Sequence, residues 1–156
     1  MSKKINQSEN NFILSVVKIK QLPLHCGPAC MEMLLRFYGI KNVTQKKIGR
    51  DMNVVWGDGC LPSQVIRYLK KFKIFCRISR KKYALEYFEK SHQPIILGEA
   101  SHFTILIGKK KNKYIIIDPC YGRCRLKSQD YFSQDINEYV IVIETMGVNY
   151  EKENKN

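Results

Sequence analysis

Residues 21–30 read Gln21-Leu22-Pro23-Leu24-His25-Cys26-Gly27-Pro28-Ala29-Cys30 and run into an amphipathic stretch ending at Phe37-Tyr38-Gly39. Proline is tolerated in the first turn of a helix, where no amide donor is needed, so a helix begins close to Cys26. Met31, Leu34, Leu35 and Tyr38 recur at helical spacing and define a buried stripe, and Gly39 stops the helix. Cys26 therefore falls in the first helical turn, where the positive end of the peptide dipoles eases ionisation of a thiol. Cys30 lies one turn deeper, a place for packing rather than attack.

Upstream, Ile13 to Ile19 reads as a short strand or extended lead-in. Downstream, Thr44 caps a short helix anchored by Ile48, and residues 53–60 form a glycine-containing loop. A helix from Pro62 to Phe72 buries Val65, Ile66 and Leu69. Ile74 to Ile78 is strand-like, and Ser79 is placed to cap a helix carrying Tyr83, Leu85, Tyr87 and Phe88. The pattern then changes. Pro94 to Leu97, His102 to Ile107, Lys113 to Asp118 and Tyr139 to Ile143 are short β-rich runs, with a hairpin turn at Lys109 to Asn112. Helices first and strands second predict an α+β domain with an antiparallel sheet.

The chain has 156 residues, 44% of them hydrophobic and 26% charged, which suits one folded domain and one core. That domain is expected over residues 12–146, with polar, flexible termini at 1–11 and 147–156. No apolar run approaches the roughly 18 residues of a membrane span, and no secretory signal is present, so the chain reads as cytoplasmic. In a reducing compartment its six cysteines are expected as free thiols. The net charge of +13 is spread over clusters such as Lys70-Lys71, Arg80-Lys81-Lys82 and Lys109-Lys110-Lys111. Charge of this kind attracts anionic partners without selecting among them, and no nucleic-acid reading motif accompanies it.

Three separated residues carry the chemistry. Cys26 begins a helix, His102 opens one strand, and Asp118 ends the next. Antiparallel neighbours joined by a hairpin can bring such ends side by side. Cysteine, histidine and aspartate are the materials of a thiol protease: a nucleophile, its proton carrier, and a carboxylate that orients the imidazole. Each has a bland alternative: a small buried residue for Cys26, a half-buried ring for His102, a turn-forming aspartate before Pro119 for Asp118. His25 points away from the cleft if Cys26 points into it, and His92 lies near a helix end.

The Cys26-Gly27-Pro28-Ala29-Cys30 motif with its helix to Tyr38-Gly39, then His102-Phe103 and Asp118-Pro119, resembles the C39 peptidases. The likeness also takes in Gly57-Asp58-Gly59 with its following helix and the segment from Gly122 to Phe132. The resemblance implies a papain-like fold and a Cys26-His102-Asp118 triad, with Gln21 and the Cys26 amide stabilising the oxyanion. It implies cleavage of bacteriocin or lanthipeptide precursors after a Gly-Gly or Gly-Ala pair, with no cofactor and no metal. The implied partner is a precursor whose amphipathic helical leader ends in that pair. Such domains commonly belong to an ABC transporter, which adds its membrane and nucleotide-binding domains as partners and the inner membrane face as location. Val54, Val55, Trp56, Leu61 and Tyr68 are candidates for leader contact. Two positions depart from the family pattern: His25 stands where an acidic residue is common, and Gln21 lies one residue closer to the nucleophile.

Three other readings compete. His25, Cys26 and Cys30 could meet Cys120 and Cys124 around a structural zinc ion. A thiol enzyme could pass its acyl group to an amine or thiol instead of water. A degenerate domain could bind leaders without cutting them.

Overall fold

The runs Ile95–Glu99 (β3), His102–Lys110 (β4) and Lys113–Asp118 (β5) are nearly continuous in apolar residues, as strands covered on both faces must be. In the computed structural model of the chain they form the centre of a seven-stranded antiparallel sheet. The structure describes residues 11–54, 59–99, 101–133 and 138–146. The sheet is completed by Phe12–Ile13 (β1), Ile74–Arg80 (β2), Arg123–Ser128 (β6) and Tyr139–Met146 (β7). Its order is β2-β7-β3-β4-β5-β6, and β1 pairs with the far end of β4.

Alternation along the strands sorts the core into two layers. Ile96, Phe103, Ile105, Ile115, Ile117 and Ile141 pack with Met31, Leu34 and Leu35 of the helix Cys26–Phe37 (α1). The helices Gln45–Asp51 (α2) and Pro62–Lys70 (α3) add Ile48, Val65 and Leu69 to the same layer. On the opposite face Leu97, Leu106, Ile116 and Val140 meet Phe88 of the helix Ala84–Ser91 (α4) and Phe132 of the short helix Gln129–Ser133 (α5). This is the expected α+β, papain-like arrangement, with the amino-terminal helices against an antiparallel sheet.

Several local expectations hold. Pro28 sits in the first turn of α1, Gly39 takes φ +88° just past its end, and the Thr44 hydroxyl accepts the Lys47 amide at the start of α2. Others are corrected. The lead-in is a strand only at Phe12–Ile13, because the Val16 amide turns back to the Leu14 carbonyl at 2.9 Å. Ser79 lies within β2, opposite Val140, and caps nothing; a 3₁₀ turn over Lys81–Tyr83 leads into α4. The β6 strand and α5 carry no apolar periodicity that would have revealed them. Asn11, expected in a frayed end, accepts the Lys111 amide at 2.6 Å. The remaining terminal residues, 1–10 and 147–156, lie outside the described residues.

Ile117 is fully buried between β4, β6 and α1 and cannot be truncated without leaving a void. Ile117→Ala is expected to destabilise the fold by about 2–5 kcal/mol, read as a lower urea midpoint with an unchanged slope.

Candidate active site

The β4–β5 hairpin pairs Ile105 with Ile117, so one step further along the register Thr104 faces Asp118 and His102 is its diagonal neighbour. Diagonal positions lie within reach of a long side chain. The His102 Nε2–H donates to Asp118 Oδ1 at 2.8 Å, which leaves Nδ1 of the ring for another partner. That partner is the Cys26 sulfur, delivered by the N-terminus of α1 against the same end of the sheet. The three residues singled out in the sequence therefore meet in one row.

Asp118 is 5% exposed and its carboxylate is held on both oxygens. Oδ1 also accepts the Cys120 amide at 3.0 Å, and Oδ2 accepts Arg125 Nη1 at 3.2 Å. Burial pushes its pKa up, but the His102 hydrogen bond and the Cys120 amide outweigh this and hold it below the usual carboxylate value. Hydrogen bonding to Cys26, opposed by burial and reinforced by Asp118, pushes His102 up to about 9. Burial would raise the Cys26 thiol. The His102 hydrogen bond, the amides of Phe103 and Gly27 and the imidazolium charge bring it below its ordinary value instead. A lowered thiol beside a raised imidazole favours pairing of a thiolate with an imidazolium.

The other buried thiols behave oppositely. Cys30 is raised well above its ordinary value by burial, and burial pushes Cys60 and Cys76 each up to about 12. Cys60 is nonetheless part of the site wall. A Cβ added at Gly27 would lie 2.0 Å from its sulfur, so only glycine fits beside Cys26. Cys120 and Cys124 are exposed.

Gln21 reaches the site through its backbone. Its amide donates to the Pro119 carbonyl at 2.8 Å, joining the loop before α1 to the turn after Asp118. Gln45 of α2 grips the same loop from the other side: Oε1 accepts the Leu22 amide at 2.8 Å and Nε2 donates to the Lys20 carbonyl at 2.9 Å. Gly122, at φ +63°, lets the turn press on Lys20, where a Cβ would sit 2.8 Å from the lysine Cβ. The Gln21 side-chain Oε1 is buried without a hydrogen-bond partner among the described residues. Neither Gln45 nor Arg125 was singled out by sequence reasoning; a polar residue on an exposed segment has no pattern to betray it.

The remaining candidates are placed differently. The His25 ring turns to Pro23 O at 2.7 Å and packs on Gly49 of α2, away from the sulfur. His92 stacks on Phe12. With Cys30 in the core and Cys124 on the sheet edge, the zinc grouping does not assemble. Among the described residues no group of three or more His, Cys, Asp or Glu side chains is arranged to hold a metal ion. Leu61 is exposed at the start of α3, and Val54 packs partly against the core. Tyr68 is a core residue, its hydroxyl donating to Asp51 at 3.0 Å, so its ring offers no open surface. Val55, Trp56, Gly57 and Asp58 lie outside the described residues.

Residues 18–146 match the peptidase C39 family. The chain belongs to that family. Membership supports cysteine-peptidase activity in general. No curated protein matches the sequence. Among solved structures, a double-glycine-motif protease from an AMS/PCAT transporter, crystallised with its leader peptide, is 25% identical with a TM-score of 0.70. That match covers 84% of this chain and 92% of the other. The peptidase domain of the Streptococcus transporter ComA is 19% identical, TM-score 0.67, covering 82% and 97%. A C39-like peptidase from Bacillus anthracis is 16% identical, TM-score 0.66, covering 89% and 100%. Among the described residues no helix is long and apolar enough to cross a membrane.

The shifted pair fixes the expected pH response. Iodoacetamide at pH 7 should modify Cys26 well before Cys30, Cys60 or Cys76, as read by peptide mass spectrometry; faster labelling of Cys60 would contradict the assignment. The protonated His102 contributes stability fully below its ordinary 6.5, and the contribution fades as pH rises through about 9. The ionised Asp118 works in the other direction, contributing above its ordinary 3.8 and losing its effect as pH falls through its lowered value. Peptidase activity should accordingly be bell-shaped, with its alkaline limb near pH 9.

Proposed function

We propose that the chain is a thiol endopeptidase that removes a leader from a bacteriocin or lanthipeptide precursor by cutting after a Gly-Gly or Gly-Ala pair. The observation that carries this reading is the hydrogen-bonded row from Cys26 through His102 to Asp118, in a chain that belongs to the C39 family. The double-glycine-motif protease held a leader peptide in its crystal, which supports extending the same substrate class to this chain.

In this mechanism the Cys26 thiolate attacks the carbonyl carbon of the residue before the scissile bond. The carbonyl oxygen takes the negative charge. The Cys26 amide, free at the start of α1, and the Gln21 side chain supply its hydrogen bonds. A half-turn of the Gln21 amide exchanges Oε1 and Nε2, so its buried and unpartnered end can offer a donor. His102 then gives its proton to the departing amine, the C–N bond breaks, and a thioester remains on Cys26. Water, deprotonated by His102, attacks the thioester; the leader leaves as a carboxylate and the thiol is restored. Asp118 keeps the imidazole in the required tautomer throughout and balances its charge.

Leader contact is assigned to Leu61 and Val54, with Val55 and Trp56 beside them in sequence. The partner is a precursor peptide with an amphipathic helical leader. In a longer gene product the membrane and nucleotide-binding domains of an ABC transporter would be its neighbours at the inner membrane face.

The decisive experiment incubates a leader–cargo peptide containing a Gly-Gly pair with wild type and with Cys26→Ala, chelator present in both. Mass spectrometry should find two fragments, cut after the second glycine, from wild type only. Cleavage elsewhere, by both proteins or only without chelator would sink the reading. Gln21→Ala is expected to lower kcat by about 100-fold while KM stays close to wild type, as loss of one oxyanion donor does.

A further inference from the structure

We propose that Arg125 is a positioning residue of the active site, acting through Asp118 on the orientation of His102 and so on the Cys26 thiolate. The inference rests on the reading of Cys26, His102 and Asp118 as the catalytic row, and it starts from how the carboxylate is held. Oδ1 carries two donors, His102 Nε2 and the Cys120 amide, whereas Oδ2 has Arg125 Nη1. A carboxylate gripped at one oxygen can still swing about its Cβ–Cγ bond. Gripped at both, its plane is fixed, and with it the direction from which Oδ1 receives the imidazole.

The placement follows from strand register. Asp118 stands opposite Arg123 and Ile116 opposite Arg125, so Arg125 is the diagonal neighbour of Asp118 on β6, as His102 is on β4. Imidazole, carboxylate and guanidinium thus lie in one line across three adjacent strands. Arg125 is itself braced: its guanidinium lies 5.7 Å from the centre of the Tyr121 ring, in the turn that joins β5 to β6. Arg123 lies over the same ring at 5.2 Å yet bonds to no oxygen of Asp118. Among the described residues, the other ionisable groups around the row include Cys30 and Cys60 beside Cys26, with Tyr139 near Cys26 and Cys60.

The ordinary role for a half-exposed arginine on an edge strand is a solvated ion pair of little consequence for stability. The two roles separate in what they move. A surface ion pair would leave catalysis alone. A bare countercharge would act through its charge alone, so its loss would be matched by loss of the equally near Arg123, which stands opposite Asp118. A positioning residue, once removed, loosens Asp118, weakens support of the imidazolium and lets the thiol return toward its ordinary value.

Arg125→Gln and Arg123→Gln compare loss of the bond with loss of charge alone. The first readout is the pH dependence of Cys26 alkylation by iodoacetamide, quantified by peptide mass spectrometry. The second is kcat and KM on a Gly-Gly leader peptide. In Arg125→Gln the alkylation midpoint should rise by about one pH unit. Its kcat should fall by about 10- to 100-fold at nearly constant KM, the scale of a misaligned catalytic group. The melting temperature should stay within about 2 °C of wild type. Arg123→Gln should match wild type in every measurement. A midpoint in Arg125→Gln that stays put or moves down overturns the proposal, as does equal impairment of Arg123→Gln. If wild type cuts no leader peptide, the substrate reading fails separately, and the alkylation profile alone decides the role of Arg125.

Discussion

The β4–β5 ladder is the constraint on which the rest of this structure depends. Tyr114 to Asp118 are all buried, with alternate side chains committed to opposite core layers. Such a strand has one acceptable register, because a slip of one residue would exchange its two faces. The register that satisfies both layers is also the one that brings Asp118 diagonally beside His102. Alignment of the Cys26–His102–Asp118 row is therefore a by-product of packing, enforced by a core far larger than the site. The hairpin that fixes it is tight, with Lys111 at φ +54° in the turn and a bulge between Leu106 and Gly108 where β1 presses its backbone close.

Chemical selectivity among the thiols follows from the same geometry. Burial alone disfavours a thiolate, and Cys30, Cys60 and Cys76 show what it does unopposed. Cys26 is also largely withdrawn from water, but it stands where α1 meets the sheet end and so acquires an imidazolium and two amides. Its neighbour Gly27 is pressed against Cys60, so the wall that desolvates Cys26 also forbids a side chain next to it. Reactivity here is set by what one helix terminus happens to face.

Much of this was legible in the sequence because the parts that matter most are periodic. The stripe of α1, the Pro28 start and Gly39 stop, and the apolar runs of β3, β4 and β5 all announce themselves through burial. His102 and Asp118 were readable because they terminate such runs. What escaped reading lacks a buried pattern. In β6 every residue except Lys127 is exposed, and its alternation of Arg123, Arg125 and Lys127 with Cys124, Leu126 and Ser128 obeys no core requirement. Ser79 misled because a serine before an amphipathic run suits a cap equally well in sequence. The pairing of β2 with β7, more than sixty positions apart by residue number, claimed it for the sheet.

The clamp on the lead-in loop shows why that blind spot matters for chemistry. A loop that carries Gln21 and delivers Cys26 has to be fixed relative to a strand end more than ninety positions later in the chain. No local propensity can do that. Gln45 holds the loop to α2, the Pro119 carbonyl holds it to the Asp118 turn, and Gly122 permits the close approach. Glu32 completes the connection, accepting the Gln45 amide at 2.5 Å while paired with Arg36, and so ties α2 to the helix that Cys26 begins. Each of these residues is polar, unpatterned and ordinary in sequence. Catalytic side chains need rigid support on every side, and a fold can draw much of that support from polar contacts between distant segments. Those contacts become visible only when the chain is closed, which is why Cys26, His102 and Asp118 could be singled out before the residues that hold them.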